Sequence, residues 1–398
     1  PVDWRSNSDL ALRMRDIRKG NLDLGWMKAG TEKLHFSQEN PKRGFTYLDV
    51  NKGSYGYDDL PEVPRGPRGA APRGAAYDVQ HQADLEPELN RKSDVWAYKV
   101  ASFTEEAVSR QWDATTDVPW TDLDKYERSE ELEVAYAQLC TFFTEVEMIA
   151  TDLPAKWLWR MNNQFSEVKH FIATQAIDEA RHAEVFRKRA LVGGVGLMEA
   201  LPQAEHSLKA ILDGDTYGDA SAFMHLLAEG NILTMFRFSE FISPTPVDKR
   251  IFQLVMQDEA RHVSYGMQHL KWTIDHTPER KEQLHSALDE GESITINQFD
   301  AALTECMIVL AGKGTQSRDF IRAQDRPGRV VGRVEEQHAR PRCDPGGHVG
   351  RLHPEAVFGA QRDGNGGCTC RSDDAFVGGI HRVAHQHFVS RLHQCGKD

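Results

Sequence analysis

Cysteine is scarce: the 398 residues hold six, four of them after position 340, which excludes a disulfide framework for a chain of this length. No apolar stretch approaches the twenty or so residues a bilayer needs, and the start, Pro1-Val2-Asp3-Trp4-Arg5, lacks the basic-then-apolar pattern of a signal peptide. These absences predict a soluble, cytoplasmic chain. Positive charge is short as well. Lys and Arg number 48 against 60 Asp and Glu, a formal charge of -12, which repels phosphate backbones and argues against nucleic acid as a partner. No Gly-x-Gly-x-x-Gly follows a strand-like segment, so the chain carries no nicotinamide or flavin domain of its own.

What is present divides into three. Residues 1–93 read as an N-terminal extension, whose run from Pro61 to Gly74 has too much Pro, Gly and Arg to hold a helix. Residues 94–312 repeat apolar side chains at three- and four-residue spacing between short turn signals, the pattern of amphipathic helices. Long helices are predicted from Ser129 to Arg160 with a bend at Pro154, from Phe165 to Val192, from Ala220 to Ile242 and from Val247 to His276, with a further helical stretch from Pro278 to Leu310. The expected fold is all-α, a four-helix bundle with additional helices. Residues 313–398 turn to Arg, His, Gly, Gln and Cys without apolar period, so they are read as an irregular tail, non-native or frameshifted. Cys368-Thr369-Cys370 in that tail is not the spacing of a zinc knuckle.

One pentapeptide occurs twice, Asp178-Glu179-Ala180-Arg181-His182 and Asp258-Glu259-Ala260-Arg261-His262. Each holds Glu-x-x-His, and on a helix the i, i+3 relation aims carboxylate and imidazole at one spot. A single copy reads as a solvated face. Two copies, on the second and fourth helices of four, read as a di-metal bundle, which also needs one carboxylate from each remaining helix at the same depth. Equal depth in a helical hairpin means equal distance from the turn. Glu229 and Glu259 are centred on Pro244, and Glu145 and Glu179 on Asn162, both turn residues. Glu147 is centred on residue 163 and competes closely; Glu145 is preferred because Phe142 and Ile149 place it on an apolar face.

The expected ligands are therefore Glu145, Glu179, His182, Glu229, Glu259 and His262. Four negative charges neutralise two divalent ions, which makes so polar a cluster tolerable inside a bundle. Oxygen-rich donors with one nitrogen per ion suit iron or manganese. Asp178 and Asp258 lie four residues before each His, positioned to reach the second ring nitrogen of a ligand His across the bundle. Arg181 and Arg261 balance those aspartates or form surface ion pairs. His225 lies one turn before Glu229, as an extra ligand, a contact to one, or a satisfied bundle histidine. Phe142, Phe143, Phe223, Leu226, Leu227, Met235 and Phe236 are read as apolar walls, mostly core and in part a dry substrate pocket.

With these residues in place, the chain resembles the ferritin-like di-iron carboxylate superfamily, and its doubled Asp-Glu-x-Arg-His is most like the bacterial monooxygenase hydroxylases. The resemblance covers residues 94–312. Particular branches match incompletely. The radical tyrosine of ribonucleotide reductase small subunits is replaced by Phe186, and the extra histidine of arylamine N-oxygenases by Val255. The Val-Tyr pair of the ligand-binding oxidases corresponds to Glu147 and Met224, and the hydroxylase threonine to Leu233, beside Thr234. The resemblance implies a di-iron cofactor, with manganese–iron as the variant, and oxygenation of an apolar or aromatic small molecule with O2 as co-substrate. A ferroxidase or metal-handling protein is the alternative. The expected partners are that substrate and an external reductase or ferredoxin, with a homodimer as the candidate assembly and neither nucleic acid nor membrane.

Overall fold

The computed structural model describes residues 8–21, 44–51, 60–64, 84–86, 89–199, 208–209, 211–297 and 301–312, and among these every regular element is a helix. The one ladder contact is an isolated bridge between Leu89 and Met161. The tail from 313 to 398 and most of the Pro/Gly/Arg-rich run lie outside the described residues. Contacts divide the chain into two units, Pro1–Leu60 and Pro61–Asp398.

In the first unit, α1 (Ser8–Arg18) and α2 (Tyr47–Asn51) are described. Thr46 and Asp49 cap α2 reciprocally: the Asp49 carboxylate accepts from the Thr46 backbone N–H at 2.9 Å and the Thr46 hydroxyl from that of Asp49 at 3.4 Å.

The second unit holds α3 (Lys92–Val95), α4 (Val100–Ser109), α5 (Glu130–Arg160) and α6 (Ser166–Val192). Next, α7 (Tyr217–Ser221) runs without a break through a π-helical stretch, Ala222–Ala228, into α8 (Glu229–Ile242). Then follow α9 (Pro246–His276), α10 (Arg280–Asn297) and α11 (Ala301–Ala311). The bundle consists of α5, α6, α8 with its π stretch, and α9.

Local chemistry sets the helix ends. The Ser129 hydroxyl accepts from the Leu132 N–H at 3.3 Å, and acids in the first turn of α5 meet the positive end of its dipole. Asn162 turns α5 into α6, its side chain accepting from the Gln164 N–H at 2.8 Å. Thr245 caps α9 by accepting from Asp248, with Pro246 in the first turn, where its missing N–H costs nothing. The predicted single stretch from Pro278 to Leu310 is two helices because each half has a different neighbour. Leu284 and Leu288 of α10 pack with Ala222 and Leu270, whereas Cys306 and Leu310 of α11 join the main core.

That core is centred on four phenylalanines, one from each bundle helix. Phe143, Phe186, Phe236 and Phe252 are all buried, their ring centroids 4.8 to 6.0 Å apart. Burial of each ring is worth about 2–3 kcal/mol, and edge-to-face pairing adds about 1 kcal/mol per contact. Phe143 lies one turn before Glu147 and Phe186 one turn after His182, so the plug closes one side of the polar cluster to water. Beyond it, Arg189 pairs with Asp248 at 2.5 Å and Glu133 at 2.9 Å, tying α6, α9 and α5 together.

Candidate metal centre

Four carboxylates and two imidazoles converge between α5, α6, α8 and α9. Glu147, Glu179, His182 and Glu259 each bring a donor atom within 4.8 Å of the others, and so do Glu179, Glu229, Glu259 and His262. Glu179 and Glu259 belong to both sets, so they lie between the two. His182 Nδ1 is 3.1 Å from Glu179, 3.1 Å from Glu259 and 3.7 Å from Glu147. His262 Nδ1 is 3.1 Å from Glu179, 3.5 Å from Glu229 and 3.8 Å from Glu259. All six residues are buried.

The member from α5 is Glu147, not the expected Glu145. The buried face of α5 runs Tyr136, Cys140, Phe143, Glu147, at spacings of four, three and four, whereas Glu145 is only half-buried two residues away. Two residues turn a helix by about 200°, so both cannot face the bundle axis.

Behind each imidazole lies the aspartate of the other motif. His182 Nε2 is 3.2 Å from Asp258 and His262 Nε2 is 3.3 Å from Asp178. In the neutral ring that a metal ion would take, an Nε2–H donated to the aspartate would leave each Nδ1 lone pair facing the carboxylates. Arg181 bonds Asp178 at 2.5 Å and Asp258 at 2.8 Å, and Arg261 does the same at 2.5 and 2.8 Å. Both guanidinium groups are buried, so the four residues form an internal ring and not surface pairs. Two residues after α4 complete it. The Trp112 indole N–H donates to Asp258 at 2.6 Å while its ring stacks on His182, and Gln111 donates to Asp178 at 3.3 Å. Nothing in the sequence near 111 and 112 signals this role, because the partners lie 67 and 146 residues away.

The π stretch alters the place of His225. It does not reach the carboxylates; its Nε2 faces Gln175 Oε1 at 3.2 Å, and Gln175 Nε2 donates to Glu229 at 2.8 Å. Tyr265 also turns aside, its phenol 2.5 Å from that of Tyr217. Of the expected walls, Phe143 and Phe236 belong to the aromatic plug, and Phe223 and Leu227 meet Gly291 of α10, where a Cβ would lie 2.5 to 2.7 Å from them. A small cavity with room for about one water molecule lies beside Gln175 and His225, walled by Leu153, Trp157, Ile172 and Met224.

Burial and neighbouring charge push the ionisable groups apart. Burial raises Glu147 well above the carboxylate range and Glu229 to about 8. At Glu179 burial works the same way, but the facing imidazoles of His262 and His182 outweigh it and hold the group far below its ordinary value. At His182 and His262 burial is outweighed by carboxylates on every side, so both hold a proton well above the usual range. Burial, helped by the charge of His262 and His269, lowers His225 to about 3, and burial with the nearby Arg280 charge lowers His269 to about 4.

The donor set fits metal ions. One oxygen on each of Glu147, Glu179, Glu229 and Glu259, and Nδ1 of His262, are buried without a hydrogen-bond partner. Each buried polar atom left without a partner costs about 1–3 kcal/mol, and two divalent ions would take up those atoms while displacing the protons that the cluster otherwise holds.

No protein-family model and no curated protein matches the chain. Among solved structures, a variant R2-like ligand-binding oxidase with an aerobically reconstituted Fe/Fe cofactor is 18% identical, the match covering 57% of this chain and 90% of that one with a TM-score of 0.45. A second variant of that oxidase, with a Mn/Fe cofactor, is 17% identical over 57% of this chain and 86% of that one, with a TM-score of 0.44. What the chain itself shows is the architecture: four bundle helices, with Glu-x-x-His on α6 and α9 and an inward Glu on α5 and on α8.

Proposed function

We propose that the chain is a non-haem di-metal oxidoreductase that activates O2, with Glu147, Glu179, His182, Glu229, Glu259 and His262 holding two iron ions, or one manganese and one iron. The observation that carries this reading is the set of buried carboxylate oxygens and imidazole nitrogen without partners, converging within 4.8 Å. Oxygen-rich ligation with one imidazole per ion suits iron and manganese, and thiolate is absent from the cluster.

Bound there, the ions supply the redox chemistry of O2 reduction and oxygen transfer to an apolar or aromatic small molecule. The chain's own work is to orient, dry and protonate the site. Asp178 and Asp258 fix the imidazoles, Arg181 and Arg261 fix the aspartates, and the aromatic plug excludes water from one side. Electrons come from a separate reductase or ferredoxin.

Metal analysis of the purified protein with an O2-consumption assay tests the reading. Two equivalents of iron or manganese, and O2 uptake that yields an oxygenated organic product, are expected. Absence of bound metal refutes the centre, and metal oxidation without organic product under any electron supply favours the ferroxidase alternative.

A further inference from the structure

The cavity beside the metal centre sits where two helices depart from regular α geometry. Pro154 interrupts α5, having no N–H to give to the carbonyl four residues back, and the stretch Ala222–Ala228 is π-helical. Both irregular turns line the cavity, Pro154 with its neighbour Trp157 and the π turn with Met224 and His225. Gln175 of α6 lines it too and joins it to the metal centre, because its amide N–H donates to Glu229 at 2.8 Å.

The polar side chains of this lining are engaged elsewhere. Gln175 Oε1 faces His225 Nε2 at 3.2 Å, His225 Nδ1 lies 2.8 Å from the Ser221 hydroxyl, and that hydroxyl lies 2.9 Å from His269 Nδ1. These four side chains therefore bond one another in a line. The Tyr217 phenol is 2.5 Å from that of Tyr265. Among the polar side chains of the lining, only the Trp157 indole N–H, in a side chain 1% exposed, has no partner.

That inventory decides what the cavity holds. A buried water makes two to four hydrogen bonds, and here a single N–H offers one while every acceptor in the lining is already engaged. Each water proton left without an acceptor costs about 1–3 kcal/mol. An apolar molecule of similar bulk forgoes no hydrogen bond and gains dispersion contacts with the walls. O2 has that size and no dipole.

We propose that this cavity is a docking site for O2 on its way to the metals. The proposal deepens the reading of the centre as one that consumes O2, and rests on it. Docking makes and breaks no bond; the walls hold O2 by contact alone. Met224 is the pliable wall, its sulfur 3.8 Å from the Gln175 amide nitrogen that is bonded to Glu229. Three rotatable bonds let its thioether swing aside without moving the helix, so O2 leaving past it reaches the carboxylates without crossing solvent.

Nuclear magnetic resonance of metal-free protein under O2 pressure tests the site, since dissolved O2 is paramagnetic and speeds the relaxation of nuclei it touches. The Met224 methyl and Trp157 indole signals relax several-fold more than those of Met161 and Trp96, which are as deeply buried but do not line the cavity. In Ala220→Val, which adds two methyl groups to the lining, the excess disappears while the Met161 and Trp96 signals stay in place. Relaxation at Met224 and Trp157 no greater than at the two controls overturns the proposal, and this comparison stands even if the variant does not fold. A cross-relaxation signal between the Trp157 indole proton and a bound water overturns it as well, making the cavity a water site. In iron-loaded protein, Ala220→Val raises the O2 concentration for half-maximal iron oxidation several-fold with iron uptake unchanged; an unaltered dependence on O2 puts the cavity off the route and also overturns the proposal. Unaltered protein that takes up no iron refutes the metal-centre reading instead, a result separate from the relaxation measured without metal.

Discussion

Raising the pH from 5 to 8 destabilises the metal-free protein, and loading metal removes the effect. Glu229 keeps its proton to about 8, against an ordinary value of 4.5. A group whose folded value lies above its unfolded value contributes stability that is fully present below 4.5 and lost as pH rises to 8. Each pH unit within that window is worth about 1.4 kcal/mol, so between pH 5 and 8 Glu229 alone accounts for at most about 4 kcal/mol. Glu147 is raised by the same burial, and His182 and His262 hold their protons above the usual imidazole range, so all three act in the same direction. Glu179 and Asp258 are held below the ordinary range by facing imidazoles against the pull of burial; their contribution is lost only in acid and leaves this window untouched. For a domain of roughly 200 residues, 1 kcal/mol moves the melting temperature by about 2–4 °C, giving a fall of up to about 8–16 °C from Glu229. Because metal binding displaces those protons, it tightens as pH rises and offsets the loss. Scanning calorimetry of chelator-treated and manganese-loaded protein at pH 5, 6.5 and 8 measures both slopes. A metal-free melting temperature that stays level or climbs across this range refutes the reasoning.

Glu147→Ala lowers metal affinity by more than about 100-fold and Glu145→Ala by less than tenfold, since only Glu147 joins the cluster; calorimetric titration with manganese ranks them, and the reverse order means that α5 is rotated. Glu179→Ala or Glu259→Ala, which removes a carboxylate shared by both donor sets, abolishes loading of both ions while far-UV circular dichroism stays helical, and full occupancy in either variant refutes its assignment. Oxygenation of the reduced protein leaves no long-lived tyrosyl radical, because Phe186 occupies the place one turn from His182 and the Tyr265 phenol is engaged with Tyr217. Freeze-quench electron paramagnetic resonance reads this, and a persistent tyrosyl signal lost in Tyr265→Phe turns the proposal toward radical generation.

The four long helices were legible because their caps and turns are local. Ser129, Asn162 and Thr245 each act on a backbone N–H two or three residues away, and the apolar repeats between them count directly. The doubled Glu-x-x-His was legible for the same reason, being an i, i+3 relation within one helix. The choice between Glu145 and Glu147 needed helix rotation, which distance from a turn does not supply. The series Tyr136, Cys140, Phe143 carried that information, whereas Phe142 and Ile149, which pointed to Glu145, are only half-buried. The π turn at Ala222–Ala228 was hidden, because α- and π-helical turns share the same short-range composition. Trp112, Gln111 and the line from Gln175 to His269 depend on contacts between distant segments, and no spacing along the chain encodes those.

The crossing of the two motifs bears on how the ions enter. Asp178 on α6 steadies the imidazole of α9, Asp258 on α9 steadies that of α6, and Arg181 and Arg261 each grip both aspartates. The first ion to lock one histidine therefore stiffens the support beneath the other, and part of the entropy of assembling the second ligand set is spent before its ion arrives. Loading should be cooperative, with half-filled protein scarce even at one equivalent, and Asp178→Asn should impair the histidine on the opposite helix more than the one on its own.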